Sequence, residues 1–184
     1  MAPHGSTDGG RTADVVVGVS DSLAGPAALR RGIVGARRSG RRLVAVRAWE
    51  PPEGEALARR RPEPAWTHMW ADEARQRLDR AFELALGGPP ADLRIVRRVV
   101  RGPAGPVLCS IASRPDDLLV IGAARPRGPV SRLLHRRPVQ RHILARAECE
   151  VLVVAGPRLL PHEARLLRRG DLVERRRRRT PAHR

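Results

Sequence analysis

The chain has no lysine and no tyrosine, a single phenylalanine, three tryptophans and two cysteines in 184 residues. Each scarcity excludes something. Aromatics make up 2% against a hydrophobic share of 41%, so a core must come from Val, Leu, Ile and Ala. So few rings leave little to stack on exposed bases, and no nucleic-acid motif is present. Cys109 and Cys149 are far apart and match neither a CxxC pair nor a zinc spacing. In apolar surroundings they are expected as buried thiols. No apolar run approaches the ~18 residues of a membrane helix. The opening MAPHGSTDGGRTAD has no apolar stretch of the kind a signal peptide carries. The chain therefore reads as cytoplasmic.

What is abundant is arginine. All 36 basic residues are Arg, and the net charge is +17. Such a charge draws nucleic acid or another polyanion through counterion release. A chain rich in Arg, Ala, Gly and Pro without Lys or Tyr is also what GC-rich codon usage writes. A length of 184 residues corresponds to about one domain, long enough to bury its own core.

Hydrophobic runs organise the chain. Residues 1–13 are polar and form an expected disordered lead. Val15–Val19 is a short continuous apolar run, as in a strand covered on both faces. Pro26 suits a first helical position, and Ala28, Leu29, Gly32, Ile33 and Ala36 then form a helical stripe. Leu43–Trp49 predicts the second strand. Residues 51–68 are rich in Pro and Arg and read as irregular, with a helix from about Trp70 to Leu86. Leu93–Val100 predicts a third strand, with a short helix around Val107–Ala112. Leu118–Ile121 predicts the fourth strand, followed by a loop over 122–137. A helix from about Pro138 to Arg146 and the strand Glu150–Val154 complete the series. This β-α alternation predicts an α/β domain over residues 14–156, a five-stranded parallel sheet with helices on both faces. Residues 157–184 form an Arg-rich tail ending in the block Arg175–Arg179, expected to be extended and solvated.

Searched for chemistry, the chain offers little. His4, His162 and His183 fall in the termini, and His142 lies on a helix, packed or exposed. Asp116 and Asp117 stand at a helix-to-strand corner as a solvated cap. Ser22 and Ser110 have no paired base. The segment GPAGP at 102–106 lacks the Gly-Lys-[Ser/Thr] of a P-loop. Trp66 and Trp70 flank a helix start and are expected to cover core or an interface. The expectation is no catalytic constellation, no metal site and no enzyme.

Four pieces in order resemble the universal stress protein family in its actinobacterial form. They are VVVGVSDSLAGPAALRRG, AVRAWEPP, VVRGPAGPVLCSIASRPDDLLVIGA and ILARAECEVLVV, together spanning about residues 13–155. The resemblance implies a Rossmann-like, flavodoxin-type fold of the adenine nucleotide alpha hydrolase-like kind. It also implies ATP or another adenine nucleotide at the carboxyl ends of the first, second and fourth strands, where open α/β sheets place ligands. The corresponding residues are Gly18, Val19, Ser20, Ala48, Ile121, Gly122, Arg125, Arg137 and Val139.

The match departs from the family pattern at the phosphates. Ser20 stands where the family has a nucleotide-contacting Asp, and Asp21 occupies the next position, so its side chain is expected to point elsewhere. Gly122 keeps the first glycine of the family's G-x-x-G-x(9)-G-[S/T] loop, but Arg125 replaces the second. The final pair falls at His135-Arg136, or at Arg137-Pro138 with a two-residue insertion. Glycine admits close backbone approach to phosphate, and proline removes an N–H donor. Two outcomes follow: tight ATP binding is lost, or an Arg-lined loop retains an adenine nucleotide through forked guanidinium contacts.

The family further implies a homodimer paired through the last strand, here Val151, Leu152, Val153 and Val154. Three functions compete: a non-catalytic stress-response domain acting as sensor or scaffold, a binder of nucleic acid or another polyanion using the Arg tail, and a weak ATP-hydrolysing protein.

Overall fold

The computed structural model describes residues 12–52, 54–60, 64–123 and 138–157. Five strands lie parallel: β1 (Asp14–Gly18), β2 (Arg42–Trp49), β3 (Ile95–Arg101), β4 (Leu118–Ala123) and β5 (Glu150–Ala155). Their spatial order is β3-β2-β1-β4-β5. The helices are α1 (Gly25–Ser39), α2 (Glu55–Arg60), α3 (Pro64–Leu86), α4 (Ala104–Ile111) and α5 (Pro138–Arg146). The chain builds outward from β1 to β3, then returns to the middle to add β4 and β5. The reversal puts β1 beside β4, the switch point where such sheets open a crevice at their carboxyl ends.

The unbroken apolar runs arise because the central strands are covered on both sides. Val15, Val17 and Val19 face Ala28, Leu29 and Ile33 of α1 and Leu78 and Phe82 of α3. Val16, Val44, Val46, Leu119 and Ile121 face Val107 and Leu108 of α4 and Ile143 of α5. Burying each such side chain contributes about 1.5–3 kcal/mol, which is why these faces, not propensity, hold the strands. On the first face α1 crosses very close to β1. A Cβ added at Gly32 would lie 2.2 Å from Cγ2 of Val17.

Three features differ from the sequence expectation. The stretch read as irregular holds α2 and the first turns of α3. Proline is tolerated in a first helical turn, so Pro64 opens α3 rather than preventing it. The third strand runs two residues later at its start, Ile95–Arg101. Asp117 is buried, not a solvated cap. Its carboxylate accepts from the Asp14 amide at 2.8 Å and the Arg114 amide at 3.2 Å, tying the starts of β1 and β4 together. The lead residues 1–11, the loop 124–137 and the tail 158–184 lie outside the described residues. Among the described residues no helix is long and apolar enough to cross a membrane.

Candidate functional site

The carboxyl rim is assembled from the ends of β1, β2 and β4. Gly18 ends β1, in register with Val46 of β2 and Ile121 of β4. The Val19 amide donates to the Val46 carbonyl at 2.9 Å, extending the pairing one residue further. Ile121 is buried beneath the rim, and Ala48 packs on the α4–α5 side of the sheet. Val139 is the second residue of α5 and exposed. Arg125 and Arg137 lie outside the described residues, so the phosphate-loop expectation rests on sequence.

At the switch point the β1–α1 loop lies directly on β4. A Cβ added at Gly122 would stand 2.8 Å from the Ala24 carbonyl oxygen and 3.0 Å from the Ala24 Cβ. The Gly156 amide donates to the Ala123 carbonyl at 3.0 Å, so the chain beyond β5 closes over the same corner.

The polar residues divide between two directions. Ser20 is exposed, and its Oγ lies 2.9 Å from that of Ser22. Asp21 turns away and is gripped by Arg47 through two bonds of 2.7 and 2.5 Å. Arg77 of α3 adds a third contact at 3.3 Å. The hydrogen bonds from Arg47 hold the Asp21 carboxyl below the usual carboxylate range, against the opposing effect of burial, and the charge of Arg77 adds to the shift. Arg47 itself is only 9% exposed. Sequence reasoning placed Asp21 away from the nucleotide but did not find its partners. The available signal was an arginine inside an otherwise apolar strand, Leu43–Trp49.

Other candidates carry no chemistry. His142 is half-buried, and its ring lies against Gly105 where α4 meets α5. The Ser110 Oγ donates to the Val107 carbonyl of its own helix. The two thiols are half-buried rather than buried. Burial pushes both upward, so neither is poised as a thiolate. Trp66 lies within α3 and is exposed, while Trp70 is half-buried. Among the described residues no group of His, Cys, Asp or Glu is arranged to hold a metal.

Val151, Leu152, Val153 and Val154 all lie in β5, which pairs with β4 on one side. Their side chains are half-buried, alternating between the two core faces. Among the described residues no strand covers the other side of β5.

The sequence model of the universal stress protein family matches residues 12–155. Among curated proteins no relative matches. Solved structures do. The hypothetical protein MJ0577 superposes with a TM-score of 0.58 at 12% identity, covering 80% of this chain and 98% of that one. The universal stress protein UspA from Lactobacillus plantarum gives 0.56 at 20% identity, covering 79% and 99%. A universal stress protein in complex with cAMP gives 0.47 at 24% identity, covering 78% and 96%. At these identities the likeness to the first two structures speaks for the fold alone, and the family follows from the sequence match over most of the length: the chain belongs to the universal stress protein family.

Proposed function

We propose that this universal stress protein domain works without catalysis, as a sensor or scaffold whose adenine-nucleotide site has an altered phosphate grip. The observation that carries the reading is the commitment of Asp21. Ser20 stands at the acidic position of the family pattern, and the neighbouring carboxylate is held by Arg47 and Arg77 on the α3 side. No carboxylate at the end of β1 is then left to hold a ribose. The arginine at 125, where the pattern asks for glycine, supports the same conclusion for the phosphates. The side of β5 that no strand among the described residues covers supports a homodimer paired through that strand.

Calorimetry with ATP and AMP, paired with a phosphate-release assay, tests the reading. Expected are no phosphate release above a protein-free blank and no advantage of ATP over AMP. Binding is expected to be absent or weak, with Kd on the order of a millimolar. ATP bound a hundredfold more tightly than AMP would show that the phosphate grip is intact, and sustained phosphate release would end the non-catalytic reading.

A further inference from the structure

The two edges of the sheet are built differently. Residues 151–154 of β5 are all apolar. At the β3 edge, residues 94–101 carry arginine at four of eight positions: Arg94, Arg97, Arg98 and Arg101. Side chains alternate along a strand. Ile95, Arg97, Val99 and Arg101 take the α3 face, and Arg94, Val96, Arg98 and Val100 take the other. A groove of about 480 Å3 runs between α3 and this edge, inside the ~300–1,000 Å3 range of binding pockets. Apolar Leu78 and Val99 line it together with Arg75, Asp79, Arg97 and Arg98.

The backbone of β3 is open on the same side. The Arg94 carbonyl accepts from the Leu43 amide at 3.0 Å, and the Gly102 amide donates to the Trp49 carbonyl at 2.8 Å, so the even-numbered residues face β2. The amides and carbonyls of Ile95, Arg97, Val99 and Arg101 therefore point away from the sheet. Among the described residues no strand covers that side. Such an edge is a template for one more strand.

Charge narrows the occupant. Arg97 donates to Asp79 at 2.6 Å, Arg75 pairs with Asp72, and Arg101 pairs with Glu55 at 3.2 Å while lying over the Trp49 ring. Arg94 and Arg98 are exposed and have no acidic partner among the described residues. They stand on one face, roughly 13 Å apart along the strand, with Val96 between them. A second copy of the chain would bring one arginine row against another, and like charges directly opposite are destabilising. Residues 158–184 hold ten arginines against three acids, so the same repulsion applies to them. Phosphates of a nucleic acid accept hydrogen bonds but do not donate, and would leave the outward carbonyls and the apolar lining unmatched. Charged edges guard against self-pairing, and this guard does not act against an acidic strand.

We propose that the β3 edge takes an extended acidic peptide segment of another protein as a further strand. Its backbone pairs with the outward groups of Ile95, Arg97 and Val99. Carboxylates at positions i and i+4 meet Arg94 and Arg98, and the apolar residue at i+2 lies against Val96.

Fluorescence anisotropy of a fluorescein-labelled peptide, Ser-Glu-Val-Val-Thr-Glu-Val-Ser, titrated with the full chain tests this. The expected result is saturable binding. Methyl groups on the amide nitrogens of the two adjacent Val remove backbone donors while keeping charge and side chains, and should weaken binding about tenfold or more, the scale of one hydrogen bond. Replacing both Glu by Gln should weaken it similarly. Arg98→Gln should weaken the parent peptide, leave the Gln peptide unchanged and keep the melting temperature, since Arg98 is exposed. Equal affinity for the methylated and parent peptides means attraction by charge alone, here or at the Arg-rich tail, and overturns strand addition. Oligothymidylate that displaces the labelled peptide at a lower concentration than unlabelled peptide does would assign the arginine row to nucleic acid instead. No saturable binding below a millimolar, or unchanged binding by Arg98→Gln, overturns the site.

Discussion

Replacing Gly122 by alanine tests the closest contact at the switch point. The new Cβ would stand 2.8 Å from the Ala24 carbonyl oxygen and 2.9 Å from the carbonyl carbon. Both obstacles are backbone, so no rotamer change relieves them, and the β1–α1 loop must lift from β4. Overpacking of this kind costs about 1–3 kcal/mol, and the backbone character of the clash favours the upper half of that range. Alanine returns about 0.4–1 kcal/mol by restricting the unfolded chain. The expected net loss is about 1–2.5 kcal/mol, or about 2–10 °C in Tm for a chain of this size. Urea unfolding followed by circular dichroism measures it, alongside a thermal melt. Adding Ala24→Gly removes the 3.0 Å approach to the Ala24 Cβ but leaves the carbonyl, so rescue should be partial. A Gly122→Ala protein as stable as wild type, or complete rescue by Ala24→Gly, would refute the close seating of the loop.

Three further outcomes are expected. Arg47→Met should cost about 1 kcal/mol or less at neutral pH, because Asp21 is more than half exposed and keeps Arg77. The folded-state pKa of Asp21 is depressed, so its contribution is complete above the ordinary carboxylate value and is lost as pH falls through the folded value. The gap between wild type and Arg47→Met in urea midpoints should therefore narrow below about pH 4; a gap that widens there contradicts the pairing. Sedimentation should give a dimer mass for wild type and a monomer mass for folded Val153→Arg, and an unchanged mass rejects β5 as the dimer edge. If the Arg tail neutralises phosphates of a polyanion, deleting residues 170–184 should flatten the salt dependence of DNA binding by about 0.9 log units for each phosphate set free. Identical slopes would remove the tail from consideration.

The fold was legible because its strands are apolar runs of strand length and its helices carry apolar stripes. Val15–Val19, Leu43–Trp49, Leu118–Ile121 and Glu150–Val154 alternate with such stripes, and that order leaves few topologies besides a parallel sheet. The segment 51–68 misled because proline reads as a breaker, whereas in a first helical turn it costs no hydrogen bond. The strand ends that form the rim were legible from the strand order, and the family resemblance, with the general placement of ligands in open α/β sheets, marked them as the candidate site. Its polar wiring was not legible. Arg47 and Asp21 are 26 positions apart, and Asp21 and Arg77 are 56 apart. Nothing local in either stretch says that these charges will meet.

By itself the sequence determined the family, the β-α order and the faces of the core, all set by residue type and spacing along one strand or helix. Only the tertiary structure decided where charge and polarity go. Register across β1 and β2, and the seating of α3 against them, turn Asp21 away from the rim and gather Arg47, Trp70, Glu73 and Arg77 around one cleft. Periodicity tells which face a residue occupies; only packing between elements tells what stands opposite it.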